Sequence, residues 1–262
     1  MENETVILIT LVGYKLFLIA IGLWASRKTQ SNADFFLGDR QLGPYVAAVS
    51  YSASACSAWT LLGLSGAAFV IGISVLWLVL GALAGMIIAW LYLAKPVQTA
   101  SREQNLLTLT DLAALDVDGR HRVHLTRSIA FVILFSFVFY IAAQFQGAGT
   151  AFSGAFGLPS TEAILTGALI VMIYTWLGGF WAVSLTDAIQ GTVMLFASAL
   201  LPIATLLELG GLTEFWTNYQ QVASPAQLSL TGNAAGLAII GVIIGGLSTG
   251  ISTFGQPHLI IR

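Results

Sequence analysis

The sequence predicts an all-α integral membrane protein with several crossings. Of its 262 residues, 57% are hydrophobic and only 8% are charged, and the mean hydropathy is +0.86. A soluble domain carries about 25% charged residues, so an aqueous fold is excluded. Seven apolar runs are each long enough to cross about 30 Å of hydrocarbon. They lie near residues 6–26, 45–71, 73–94, 128–152, 163–182, 188–207 and 235–256. Strands are excluded because an open sheet in lipid leaves backbone groups unsatisfied, and the runs lack a barrel's short alternating pattern.

The first run follows Glu2 and Glu4 with no base before it. A secretory signal shows a basic start and a shorter core, so this is a retained span. The bases set the orientation. Arg27, Lys28 and Arg40 lie between spans one and two, Lys95, Arg102, Arg120, Arg122 and Arg127 between three and four, and Arg262 after seven. The opposite side holds Glu2, Glu4, Glu162, Glu208 and Glu214 and no base, which places the N-terminus outside. Lys15 lies within span one, where it snorkels or pairs in the bundle.

Two connections exceed a turn. In 95–127, Thr110 or Asp111 is expected to cap a short helix that stops near Gly119. In 208–234, "LTEFWTNYQQV" is expected to be a second interfacial helix, with Trp216 and Tyr219 at headgroup level. The run "RHRVH" places His121 and His124 at helical spacing beside arginines, a basic face suited to membrane lipid. Cys56 is the single cysteine, so no disulfide framework exists. No nucleophile elbow, phosphate loop, zinc motif or dinucleotide fingerprint occurs. The reading is therefore not an enzyme, with no organic cofactor and no nucleic-acid partner.

Span two carries "SYSASACSAWTLLGLSG", residues 50–66, rich in hydroxyls and small side chains. One reading is a helix that packs tightly, because small residues let backbones approach. The other is a helix broken at mid-membrane, whose freed carbonyls and hydroxyls hold an ion. Asp187 likewise has two readings, as the helix cap at the start of span six or as an ionisable site group at membrane depth.

The blocks "DFFLGDRQLGPYVAAVSYSASACSAWTLLGLSGAAF", "IYTWLGGFWAVSLTDAIQGTVML" and "FGQPHLIIR" resemble the sodium/solute symporter family, most closely its bacterial sodium/proline branch. The resemblance runs from Asp34 to Arg262. It implies a five-plus-five inverted-repeat transporter fold within a single membrane domain, of which this chain holds a truncated part. On that mapping 1–44 is an extra helix and cytoplasmic loop, 45–207 the first repeat, 208–234 an outer loop and 235–262 the first helix of the second repeat. The second repeat would come from the same parent chain.

The resemblance also implies a site. Sodium would be held by the backbone carbonyls of Ala53 and Cys56, with Ser57 near the ion and Asp187 as a ligand of a second cation. Ala55 departs from the sodium/proline branch, which places an aspartate there. Gln190 follows the "TD..Q" motif and would line the inner path. Trp59, Thr60 and Tyr140 would line the solute pocket, with Thr249, Thr253 and Pro257 from span seven. The implied activity is sodium-coupled symport of a small organic solute, an amino acid or proline, across the bacterial cytoplasmic membrane. The alternatives are the sensory module of a symporter-like histidine kinase, or a fragment inactive alone.

Overall fold

The computed structural model describes residues 2–27, 31–157 and 159–262, so Lys28 lies outside the described residues. Every regular element among them is helical. In chain order these are α1 (Glu2–Ser26), α2 (Asn32–Leu37), α3 (Pro44–Ala55), α4 (Leu64–Ile71), α5 (Leu76–Ile88), α6 (Ala94–Glu103), α7 (Leu109–Ala113), α8 (Gly119–Phe156), α9 (Ser160–Glu208), α10 (Leu212–Val222), α11 (Leu237–Leu247) and α12 (Pro257–Ile260). Wide π turns occupy Trp59–Gly63 and Ala89–Leu93, and tight 3-10 turns Gly38–Arg40, Gly72–Val75 and Ser248–Gly255.

Among the described residues, four stretches are long and apolar enough to cross a membrane: Trp59–Glu103, Gly119–Gly154, Ser160–Glu208 and Leu237–Gly255, with the shorter Val12–Ser26 before them. The 49 residues of α9 would reach about 74 Å as one rod, more than twice the hydrocarbon thickness. Gly179 divides it, at φ 56° and ψ −151°, a conformation that a side chain resists. Gly72, at φ 64° and ψ −142°, does the same between α4 and α5. Gly72 falls at the boundary expected between spans two and three, and Gly179 lies inside expected span five, three residues before its end.

The chain forms two compact units. The first comprises Met1–Ala58, Ser101–Gly191 and Ile261–Arg262. Within it α1 meets α9 at Gly22 and Gly178, where a methyl on Gly178 would lie 2.9 Å from the Gly22 carbonyl oxygen. Trp24 and Trp181 meet edge to face on the same helices, 5.7 Å between centroids. Gly191 lets α9 approach α3, since a methyl there would lie 2.9 Å from both the Ala53 Cβ and the Val49 Cγ1. Arg40 donates through Nη2 to the carbonyls of Ser101 and Leu106, both at 3.1 Å, and so fastens two connections together.

The short helix of the 95–127 connection differs from expectation. Its cap is Thr108, not Thr110 or Asp111. The Thr108 hydroxyl accepts the Asp111 N–H at 3.2 Å while the Asp111 carboxylate accepts the Thr108 N–H at 3.0 Å, a reciprocal capping box. That box starts α7 two or three residues earlier. Gly119 does not end it but opens α8, at φ 62°, so the exposed Arg120 to His124 run lies in the first turns of the long helix.

The second unit comprises Trp59–Ala100 and Thr192–Ile260. Two G-x-x-x-G motifs face each other in it, Gly81 and Gly85 on α5, and Gly246 and Gly250 on α11 and the turns after it. A methyl on Gly81 would lie 2.5 Å from the Gly246 carbonyl oxygen, and one on Gly85 would overlap the backbone of Gly250. Small residues at this spacing are how membrane helices bring backbones together. The outer connection is fixed to the Gly72 turn: Gln227 donates to the Phe69 carbonyl at 2.8 Å, accepts the Ile73 N–H at 2.9 Å, and Trp77 donates to the Leu230 carbonyl at 2.9 Å. The expected outer helix is α10, over the residues predicted for it.

Candidate ion site

Helix α3 stops at Ala55 because Cys56 takes an extended conformation, φ −77° and ψ 118°. Cys56 and Ser57 are non-helical, and helical structure resumes at Ala58 and the Trp59–Gly63 turn. The stretch is therefore interrupted in the middle of an expected span, and α3, at 12 residues, is shorter than the roughly 20 a crossing needs. An ending helix presents its last carbonyls without helical partners, at the negative end of its dipole. The Cys56 N–H covers two of them, donating to Ser52 at 3.2 Å and to Ala53 at 3.1 Å. A carbonyl oxygen has two lone pairs, so Ala53 can still accept a hard cation on the other.

The interruption is held from a neighbouring helix. The N–H of Ala58 donates to the Gln144 side-chain oxygen of α8 at 2.6 Å. One turn before Gln144 on that helix is Tyr140, close enough to Cys56 for the two to interact electrostatically. Ser57 is half-buried in the gap, and Cys56 is exposed.

Asp187 sits inside α9, eight positions past Gly179, not at a helix start. The cap reading is thereby replaced: its carboxylate faces α3. One oxygen, Oδ2, accepts the Ser54 hydroxyl at 3.0 Å, the Ser50 hydroxyl at 3.3 Å and the Arg262 guanidinium at 2.6 Å. Arg262 also donates through Nε to Ser50 at 2.6 Å and lies over the Phe180 ring, 5.4 Å from its centroid. Its side chain is 4% exposed and that of Asp187 22%. The pair is an intramolecular neutralisation in a place where an isolated charge is expensive. The serine-rich stretch packs closely, with Val49 and Ala53 against Gly191, and it is also interrupted at Cys56 and Ser57, while Ser50 and Ser54 donate their hydroxyls to the Asp187 carboxylate.

The remaining solute-facing candidates divide between the units. Tyr140 belongs to the first, and Trp59, Thr60, Thr249, Thr253 and Pro257 to the second. Trp59 is 53% exposed and Tyr140 37%. Thr249 donates its hydroxyl to the carbonyls of Leu78 and Gly246 at 3.0 and 2.8 Å, and the buried Thr253 donates to Gly250 at 2.7 Å. These two hydroxyls serve the glycine seam. Pro257 opens α12, where its missing N–H is harmless. Gln190 is half-buried on α9, near Tyr14 of α1.

Sequence reasoning missed Gln144, Ser50, Ser54 and the counter-ion Arg262. A signal existed for the serines, which lie four apart on one helical face. None existed for Arg262, which is 75 residues from its partner. Among the described residues, no group of three or more His, Cys, Asp and Glu side chains could hold a metal ion, so a cation here would depend on carbonyls and hydroxyls with Asp187.

Comparison with known proteins agrees with this architecture. A family model described as the sodium:solute symporter family matches residues 35–262. The chain belongs to that family. It is 35% identical over 263 aligned residues to a sodium/proline symporter of Salmonella typhimurium, an alignment that takes in 100% of this chain and 51% of that protein. Sodium/proline symporters of Escherichia coli and Staphylococcus aureus are each 34% identical, covering 100% and 95% of this chain and 51% and 48% of theirs. The chain thus spans about half the length of the curated relatives it matches. A solved structure of a Na+-coupled sialic acid symporter, in a substrate-bound outward-open state, superposes with a TM-score of 0.79. It shares 21% identity over 96% of this chain and 52% of that one, a likeness of fold. The chain is a multi-pass, all-helical membrane protein of a sodium symporter family, as its composition and blocks lead one to expect.

Proposed function

We propose that this chain supplies the cation-binding half of a sodium-coupled symporter for a small organic solute, with proline or another amino acid the favoured class. The observation that carries the reading is the interruption at Cys56 and Ser57, where the negative end of α3 opens on the helix that also packs against Asp187 of α9. In this reading the carbonyls of Ala53 and Cys56, with Ser57, hold the coupling ion, and Asp187 serves a second cation. A carboxylate near the ion acts more strongly in a low-dielectric site than in water, which matters here because Ala55 offers none.

The family likeness supports Trp59, Thr60 and Pro257 of the second unit and Tyr140 of the first as solute-facing candidates, whereas the Thr249 and Thr253 hydroxyls are engaged within the glycine seam. The 35% identity to sodium/proline symporters supports the amino-acid class. Coupling follows because the ion braces the interrupted helix that also presents Trp59 and Thr60, so each ligand binds better with the other present. The chain acts as one membrane domain in the bacterial cytoplasmic membrane, N-terminus outside, together with the second repeat.

The test is uptake of labelled proline and other amino acids into proteoliposomes containing the complete transporter, with and without an inward sodium gradient. Accumulation that needs the gradient supports the reading. Accumulation indifferent to its collapse refutes sodium coupling.

A further inference from the structure

The geometry points to Gln144 as the residue that holds the interruption open. When a helix breaks, the N–H groups just beyond the gap lose their partners in the preceding turn, and in hydrocarbon there is no water to replace them. Without another acceptor the chain regains those bonds by closing into a continuous helix. Ala58 is the first helical residue after the gap, and its N–H goes to the Gln144 side chain at 2.6 Å. Only the oxygen end of an amide can accept, so the Gln144 orientation is fixed by this contact.

Position matters as much as chemistry. Gln144 is half-buried near the middle of α8, a long regular helix, so the acceptor is anchored to a rigid element and not to a loop. Tyr140 precedes it by four residues and shares its face, and lies near Cys56. One face of α8 therefore bonds to the far side of the gap through Gln144 and brings Tyr140 near Cys56. The Gln144 side-chain oxygen is taken up by the main chain, at the Ala58 N–H. Gln144 is a positioning residue, and it acts by keeping the main chain at Cys56 extended. That the extended segment serves a cation rests on the proposed function; that Gln144 sustains it does not.

The test is hydrogen exchange followed by mass spectrometry on the purified chain in detergent micelles, in sodium chloride and in choline chloride at equal ionic strength. Three proteins are compared: the unaltered chain, Gln144→Met, which keeps the length and removes the acceptor, and Gln144→Glu, which keeps an acceptor oxygen. In choline, Gln144→Met is expected to raise exchange at residues 56–60 by roughly tenfold, the scale of one net hydrogen bond. Gln144→Glu is expected to restore protection. Sodium is expected to slow exchange there in the unaltered chain and in Gln144→Glu, and to have lost that effect in Gln144→Met.

Unchanged exchange at 56–60 in Gln144→Met overturns the proposal. Should Gln144→Met exchange rapidly everywhere, Gln144→Glu decides alone, a protected gap supporting the proposal and an unprotected one overturning it. An unaltered chain that responds identically to sodium and choline removes the cation reading, and the choline arm still judges Gln144.

Discussion

The two compact units use small residues for different ends. In the second, Gly81, Gly85, Gly246 and Gly250 have no side chains, and the room is filled by backbone on backbone. In the first, Gly191 makes the same kind of close approach between α9 and α3, against Val49 and Ala53, but alongside it Ser50 and Ser54 turn hydroxyls to Asp187. The glycine seam tolerates no atoms and holds no charge. The serine face accommodates a carboxylate and a guanidinium, and it adjoins the one interruption in α3's span. Small residues in a membrane helix thus mark close packing in both places, and what tells a site from a seam is whether the space admits hydroxyls and charge.

The largest effect expected from this contrast is at Asp187. Asp187→Ala leaves the almost fully buried Arg262 without its counter-ion and should destabilise the protein by about 3–5 kcal/mol, read as a lowered thermal unfolding midpoint in detergent. The double variant Asp187→Ala, Arg262→Met should recover part of that loss, because both charges leave together. Additive losses would show that the two side chains do not depend on each other.

Next is the seam. Gly85→Val places branched carbons against the Gly250 backbone and should cost about 3 kcal/mol or more, with loss of monodispersity on size exclusion. Gly66→Val is the matched control on α4, where a Cβ meets nothing within 4 Å; it should leave the elution profile as it is. If both variants behave alike, the facing glycines are not what holds α5 to α11.

Much of this was legible in the chain, and the rest was not for physical reasons. Hydropathy gives the spans because each must match the bilayer, and the interruption was readable from hydroxyls and small residues clustered within one span. The G-x-x-x-G pairs in "GALAG" and "GLSTG" were readable too, as a stripe at helical spacing in apolar surroundings. The Thr108 cap was readable as a threonine three residues before Asp111. The Asp187 to Arg262 pair was not, because local spacing carries no information about which residues distant in the chain meet. Gln144 was illegible for the same reason: in sequence it is one of two amides, with Gln146, in an apolar helix, and its role appears only when α8 lies across the gap.

The smallest effects separate a hydroxyl that serves charge from one that serves backbone. Ser54→Ala removes a donor to Asp187 Oδ2, and Thr249→Val removes the donor to Leu78 while keeping the shape. Each should lower stability by about 1 kcal/mol, so unfolding alone cannot distinguish them. Sodium can. A cation drawn to Asp187 competes for the oxygen that Ser54 helps to stabilise, so stabilisation of the protein by sodium over choline should change in Ser54→Ala and stay the same in Thr249→Val. Equal sodium stabilisation in both variants and the unaltered protein would mean that the Asp187 cluster is as purely structural as the glycine seam.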